Sequence, residues 1–373
     1  MPPVPYYGMV SDGIGYIYFE RFVDGCSRDV RRAVVDLKEQ GAKALVIDMR
    51  GNPGGPLSEA VEVTNLFVPR GQKVVYTKGK LASVNSEHYT KKEPLDVDIP
   101  VAVLVDGSTA SSAEIVSGAW QDWDRAVIVG ERTYGKGLVQ MIREVPYHGS
   151  LKVTTSRYYI PSGRCIQAYD YRHLNPDGSA KTLPDSLTKA FKTAGGREVR
   201  DGGGIKPDVV ITPDSLPSIV YDIATSDVLL DYVNRYVQTH ATIAPAGDFS
   251  LTDADYADFV KMVEESDFTY KRRTEEMMKL LERTARFEGC YEGAKPEFEA
   301  LAAKMKGGVA ADLELPKNKG EIKSVLESDI VARYYFRRGV VQQQLKADKD
   351  LKTALEILTD TERYESLLKP VKK

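Results

Sequence analysis

The 373-residue chain is short of the residue types on which metal, disulfide and histidine chemistry depend. Its three cysteines, Cys26, Cys165 and Cys290, lie far apart with no C-x-x-C spacing. That argues against a zinc site and against a disulfide-built scaffold. One disulfide stays open, so cysteine usage does not fix the redox compartment. Four histidines are present, His88, His148, His173 and His240. None follows a strand beside a partner acid, so a Ser-His-Asp triad has little support. No apolar run approaches the length of a membrane-spanning helix. An excess of one charge is missing too: 54 acidic residues face 51 basic ones, for a net charge of −3. Nothing in that balance favours a nucleic acid or an anionic membrane as partner. The opening "MPPVPYYGMVSDGIGYIYF" has no basic stretch followed by an apolar one, so no export signal is read there. Three prolines in its first five positions read as a linker over 1–12. No internal repeat is visible.

With 42% hydrophobic and 28% charged residues, the chain has an ordinary globular composition and length for two or more domains. From 13 to about 160, strand and helix patterns alternate. Strands are predicted over 15–22, 42–49, 72–79, 100–106 and 125–130, and helices over 28–40, 57–68 and from about 111 to 123. "GLVQMIREV" and "LKVTTSRYYI" predict an antiparallel pair around "PYHGS". The alternation implies an α/β layered core. Residues 161–211, rich in Gly, Pro, Asp and Tyr, read as a long functional loop. From 214 onward the chain is helical and charged, with helices predicted over 216–240, 252–266, 270–289, 294–306, 319–347 and 351–358. The expected division is a linker, a core over 13–213 and a helical accessory domain over 214–373.

Three short segments in the α/β part carry chemistry. "DMRGNPGG" (48–55) runs from a buried strand into a turn with three glycines, where backbone N–H groups can face a substrate. Alone, a tight strand-to-helix turn accounts for it. "GSTASSAEI" (107–115) sets four hydroxyls in five positions, and Ser111 with Glu114 fits a capping box at a helix start. "TYGKGLVQ" (133–140) places Lys136 between two glycines; a lone loop lysine is usually a solvated charge. Together they acquire another meaning. A serine hydroxyl needs a base to take its proton, and with histidine poorly placed, a lysine held neutral by burial is the alternative.

These three segments, with "LKVTTSRYYIPSGRCIQ", resemble the protease core of the carboxyl-terminal processing peptidases, bacterial and plastid serine endopeptidases that use a Ser–Lys dyad. The resemblance spans about residues 13–211. It implies a strand–helix spiral core of the crotonase-like kind, followed by an α-helical C-terminal domain. It places the nucleophile on Ser111, three residues before Glu114, and the general base on Lys136, 25 residues further on. Gln140 becomes the residue that orients the lysine; on one strand, positions 136 and 140 would share a face. The oxyanion hole becomes the N–H of Ser112 with that of Gly54 or Gly55, the donating glycine being left open. A helix start at Ser112 would favour negative charge there. No metal or cofactor is implied. The implied partners are protein or peptide substrates with unstructured C-termini, not nucleic acid, and homo-oligomers are allowed. The implied location is the cell envelope, in the periplasm. Family members usually carry a PDZ domain ahead of the "GYI" strand; none precedes residue 15, and the expected reading is a piece cut just after it.

Two other readings compete. A non-catalytic binding module could use the same fold, as retinoid-binding proteins do, but leaves Ser111, Lys136 and Gln140 together without purpose. An acyl-CoA enzyme could use the backbone donors but has no use for Ser111 and Lys136. Several residues keep plain roles. Asp48 and Arg50 support a strand end, and Glu114 caps a helix. Trp120, Trp123, Tyr158 and Tyr159 fill the core or wall the cleft. His173 in "YRHLNPDG" is solvated.

Overall fold

Buried aliphatic runs separated by amphipathic helices build the first part of the molecule, seen in a computed structural model that describes residues 2–213, 215–305 and 308–370. The chain divides into two units. One holds the residues up to Pro213 together with those from Asp348 onward, and the other holds the residues between, up to Ala347.

In the first unit, β1 (Tyr6–Ser11) and β2 (Ile14–Tyr18) form an antiparallel pair, so the segment expected to be a linker is an edge strand. Helix α1 (Cys26–Glu39) buries Val30, Ala33, Val34 and Leu37, the i, i+3, i+4, i+7 stripe of a helix on a core. Then come β3 (Ala44–Asp48), α2 (Leu57–Thr64), β4 (Lys73–Gly79), β5 (Ser86–Tyr89), β6 (Val101–Val105), α3 (Ser112–Asp122) and β7 (Val127–Gly130). β2, β3, β6 and β7 pair in parallel in that order. Every residue in them is buried, as expected of parallel strands covered on both faces.

The predicted antiparallel pair is β8 (Leu138–Val145) with β9 (Gly149–Tyr159), and together with β5 and β4 it forms a second sheet in the order β5-β4-β9-β8. The stretch read as a loop, 161–211, is instead packed. It makes the hairpins β10 (Tyr169–Leu174) with β11 (Ala180–Thr182) and β12 (Ala190–Lys192) with β13 (Glu198–Arg200). It ends in β14 (Val209–Val210), which joins β7 in parallel at the sheet edge. Arg164 is its buried anchor, 2.9 Å from Asp122 and 2.7 Å from the Gln121 side chain. The turn residues that signalled a loop are the corners of these short hairpins.

The second unit is helical: α4 (Ser218–Ala224), α5 (Asp227–Thr239), α6 (Asp253–Glu264), α7 (Arg273–Phe287), α8 (Tyr291–Met305), α9 (Val309–Leu313) and α10 (Pro316–Gln344). The single helix predicted over 216–240 is two, because Ser226 caps α5 by accepting from the Leu229 N–H. Helix α10 is broken at Phe336, whose φ is 55°. Tyr256, Phe259, Ile322, Leu326 and Ile330 are at the centre of its own core. Helices α11 (Lys349–Thr359) and α12 (Thr361–Leu367), expected to end the helical domain, belong to the first unit. There Tyr364 accepts the Val101 N–H at 3.0 Å, and Asp348 caps α11 while binding Arg50. The boundary at 214–373 is therefore corrected: the helical unit ends at Ala347. All three cysteines are free thiols.

Candidate active site

The three segments singled out by sequence follow β3, β6 and β7, three neighbouring parallel strands. Parallel strands end on the same side, so the loops after them converge, as ligand sites do in such sheets. The glycine turn and the serine segment are fastened together directly. Thr109 Oγ1 donates to the Met49 carbonyl at 2.9 Å, the Ala110 N–H to the Asn52 carbonyl at 2.9 Å, and the Gly51 N–H to Asp106 Oδ1 at 3.0 Å. The lysine segment joins through the Tyr134 N–H, which donates to the Thr109 carbonyl at 3.0 Å.

Ser111 is the residue before α3 and has φ 57° and ψ −117°, a conformation costing a non-glycine residue about 1–3 kcal/mol. Two buried side chains hold it there, and each also holds Lys136. Glu114, fully buried, accepts the Ser111 N–H (2.8 Å) and the Lys136 N–H (2.9 Å) on Oε2. On Oε1 it accepts the Gly135 N–H (2.7 Å) and the Thr133 hydroxyl (2.6 Å). Burial pushes the Glu114 carboxyl up, and these four donors oppose that shift. The Tyr158 hydroxyl donates to the Lys136 carbonyl and lies 3.3 Å from the Ser111 carbonyl. Burial and the nearby Glu114 push the Tyr158 phenol well up, so it stays a neutral donor. The plain sequence readings of Glu114 as a helix cap and Tyr158 as core or cleft wall are thereby extended. The S-x-x-E spacing located Glu114; nothing local in the sequence marks Tyr158.

The glycine turn is pressed against Ser111. A β-carbon on Gly54 would lie 2.6 Å from the Ala110 carbonyl oxygen and 2.7 Å from both Ser111 Cβ and the Ser112 nitrogen, and its φ is +85°. The structure also separates the two glycines. The Gly54 N–H donates to Asn52 Oδ1 at 2.9 Å. Those of Gly55 and Ser112 make no hydrogen bond among the described residues, while the Ser112 hydroxyl donates to the Gly55 carbonyl at 2.7 Å. Gly55 is thus the glycine with a free donor.

Lys136 precedes β8 rather than lying on it, so the shared-face argument linking it to Gln140 does not apply. Both nonetheless line one cleft of about 840 Å³ with Pro53, Ser108, Tyr134 and Tyr171. Gln140 is exposed and makes no side-chain hydrogen bond among the described residues. No hydrogen bond joins Ser111 Oγ to Lys136 Nζ; what brings the two residues together is their backbones. Asp48 and Arg50 sit behind the turn. Arg50 donates to Asp48, Asp348 and Asp350; burial works against its charge, and the Asp48 and Asp348 carboxylates hold it above the ordinary guanidinium range. His173 is exposed and 2.7 Å from Asp170.

Residues 13–180 match the family model Peptidase family S41. Over its α/β core, the chain thus resembles peptidase family S41. Residues 219–358 match a second model, Probable PDZ-protease, C-terminal helical domain. The chain is similar to the carboxy-terminal-processing protease of Bartonella bacilliformis, 35% identical over 196 residues, which cover 51% of this chain and 44% of that protein. It is also similar to the carboxyl-terminal-processing protease of Synechocystis, 37% identical over 151 residues, covering 40% and 35%. A probable CtpA-like serine protease of Staphylococcus aureus is 34% identical over 189 residues, covering 48% and 37%. This chain thus spans less than half the length of these curated relatives. Among solved structures, the photosystem II D1 C-terminal processing protease is 27% identical with a TM-score of 0.42, covering 55% of this chain and 44% of that one.

Proposed function

We propose that the chain is a serine endopeptidase that cleaves protein substrates near unstructured C-termini through a Ser111–Lys136 dyad. The observation that carries this reading is the double bridge: Glu114 accepts the N–H groups of Ser111 and Lys136, and Tyr158 binds at both carbonyls. In the reaction, Lys136 Nζ takes the Ser111 Oγ proton as Oγ attacks the scissile carbonyl. The oxygen that becomes negative is met by the N–H groups of Gly55 and Ser112, the latter at the start of α3. Lys136 then returns the proton to the leaving amine. Water, activated by the same lysine, releases the acyl group from Ser111. Gln140, on the same cleft, steadies the lysine head group. The names of the relatives favour carboxyl-terminal processing as the task, and an envelope location, periplasmic in a Gram-negative cell, fits it.

Lys136→Ala is the decisive variant. It is expected to lower kcat on an unfolded protein substrate by about 10²–10⁴-fold, and wild-type rates in that variant would overturn the dyad. A second reading, a binding module without catalysis, is favoured by the missing hydrogen bond between Ser111 Oγ and Lys136 Nζ. Phosphonylation of Ser111 by a fluorophosphonate, in which Oγ displaces fluoride from phosphorus, separates the two: the peptidase is labelled and the binding module is not.

A further inference from the structure

Beside the cleft that holds Lys136 lies a second pocket of about 350 Å³, and the two share Leu138, Thr154, Gln167 and Tyr171 as walls. The second pocket is cationic. Lys78, Lys80, Arg157 and Arg172 line it, and among the described residues none of the four forms a salt bridge. Its one carboxylate, Asp170, is committed elsewhere: it accepts the Arg172 backbone N–H at 3.0 Å and lies 2.7 Å from His173 Nδ1.

This arrangement costs the fold stability. Lys78 on β4 and Arg157 on β9 stand directly opposite each other in the ladder, and like charges so placed repel. Lys78 lies over the faces of Tyr76 and Tyr159, at 5.2 and 5.9 Å from the ring centroids. Beside them the ladder slips: Val139 faces Ser156 and Gln140 faces Thr154, leaving Thr155 as an extra residue. Thr155 also lines the pocket, and its Oγ1 is buried with no hydrogen-bond partner. Bulges of this kind re-aim side chains beside functional clefts. Four cations that form no salt bridge among the described residues line a pocket that an anion would complete.

We propose that this pocket binds a carboxylate of the polypeptide lying in the catalytic cleft, from its free C-terminus or from an acidic side chain. The proposal rests on the peptidase reading of Ser111 and Lys136, because it makes the cationic pocket a subsite of that cleft. It gives the enzyme a means within its own core of favouring chain ends or acidic tails.

The test uses the full chain carrying Ser111→Ala, so that binding is read without cleavage. A fluorescent Ala- and Leu-rich peptide is titrated by anisotropy in three forms: free C-terminal carboxylate, C-terminal amide, and amide with a glutamate near the end. The free carboxylate is expected to bind about tenfold more tightly than the plain amide, the scale of one charge-assisted contact. The gap should shrink with added salt and close in the Lys78→Gln/Arg157→Gln double variant. Tight binding of the glutamate peptide assigns the site to acidic side chains, and weak binding assigns it to the chain terminus. Equal affinities for all three peptides, no binding of any, or a preference that survives salt and the folded double variant would overturn the proposal. Carboxylate-dependent binding with no cleavage by the unsubstituted protein would sink the dyad reading and leave the subsite standing.

Discussion

The floor and the outer wall of the cleft are built on opposite principles. The floor, lined by Pro53, Ser108, Ala110 and Lys136, is held from behind by buried groups, with Glu114 accepting four hydrogen bonds. The wall, β8 with its partner β9, is a hairpin whose side chains largely face water; Ile142 is 69% exposed and Gln140 lies on its rim. A strained backbone such as that of Ser111 persists only where its surroundings over-determine it. A surface that must accept varied polypeptides gains more from exposure and charge. On the proposed reading, the cleft is rigid where bonds would be broken and open where sequence would be read.

Substitutions on the floor should cost stability and turnover together, whereas those on the wall should leave stability alone. Gly54→Ala is the most severe: its methyl would collide with Ala110 and Ser112 at a left-handed backbone position. A loss of about 2–4 kcal/mol in denaturant unfolding is expected, with peptidase activity abolished. A stable, active Gly54→Ala protein would break the comparison outright. Glu114→Gln follows. It keeps the shape but turns one acceptor into a donor among four donors, at a cost of about 3 kcal/mol. Because Ser111 and Lys136 would both shift, kcat should fall about 10²-fold, as progress curves on an unfolded substrate would register. Tyr158→Phe removes only the hydroxyl at the two carbonyls. It should cost about 1–2 kcal/mol and lower kcat about tenfold without moving KM, an outcome that separates positioning from substrate binding. Gln140→Ala is the mildest and tests the wall. Thermal unfolding should stay within about 0.5 kcal/mol of the parent and kcat should drop less than tenfold; a large destabilisation would show that the wall is anchored after all.

Much of the site was legible in the chain, for reasons that differ from residue to residue. The helix start at Ser111 was readable because S-x-x-E is a local backbone signal. The glycine turn was readable because only glycine tolerates such close approach. What misled was composition in place of pairing. The proline-rich opening contains β1, and the Gly- and Asp-rich stretch 161–211 contains four short strands and β14. Polar corners mark turns, but whether the residues between them are strands depends on a partner elsewhere in the chain. Helices α11 and α12 show a helical pattern, yet nothing in their periodicity says which core receives their apolar face.

By itself, then, the sequence determined the α/β alternation, the helical second part and the residue types available for a Ser–Lys reaction, since periodicity, turn chemistry and the supply of bases are local properties. Only the tertiary structure decided that Glu114 and Tyr158 bridge Ser111 to Lys136, that Gly54 is occupied while Gly55 is free, and that Asp348 returns to hold Arg50. The bonds from Glu114 to Lys136, from Tyr158 to both carbonyls and from Arg50 to Asp348 join segments distant in the chain. Such bonds form only after parallel strands have brought their ends to one side, and no window of sequence records that.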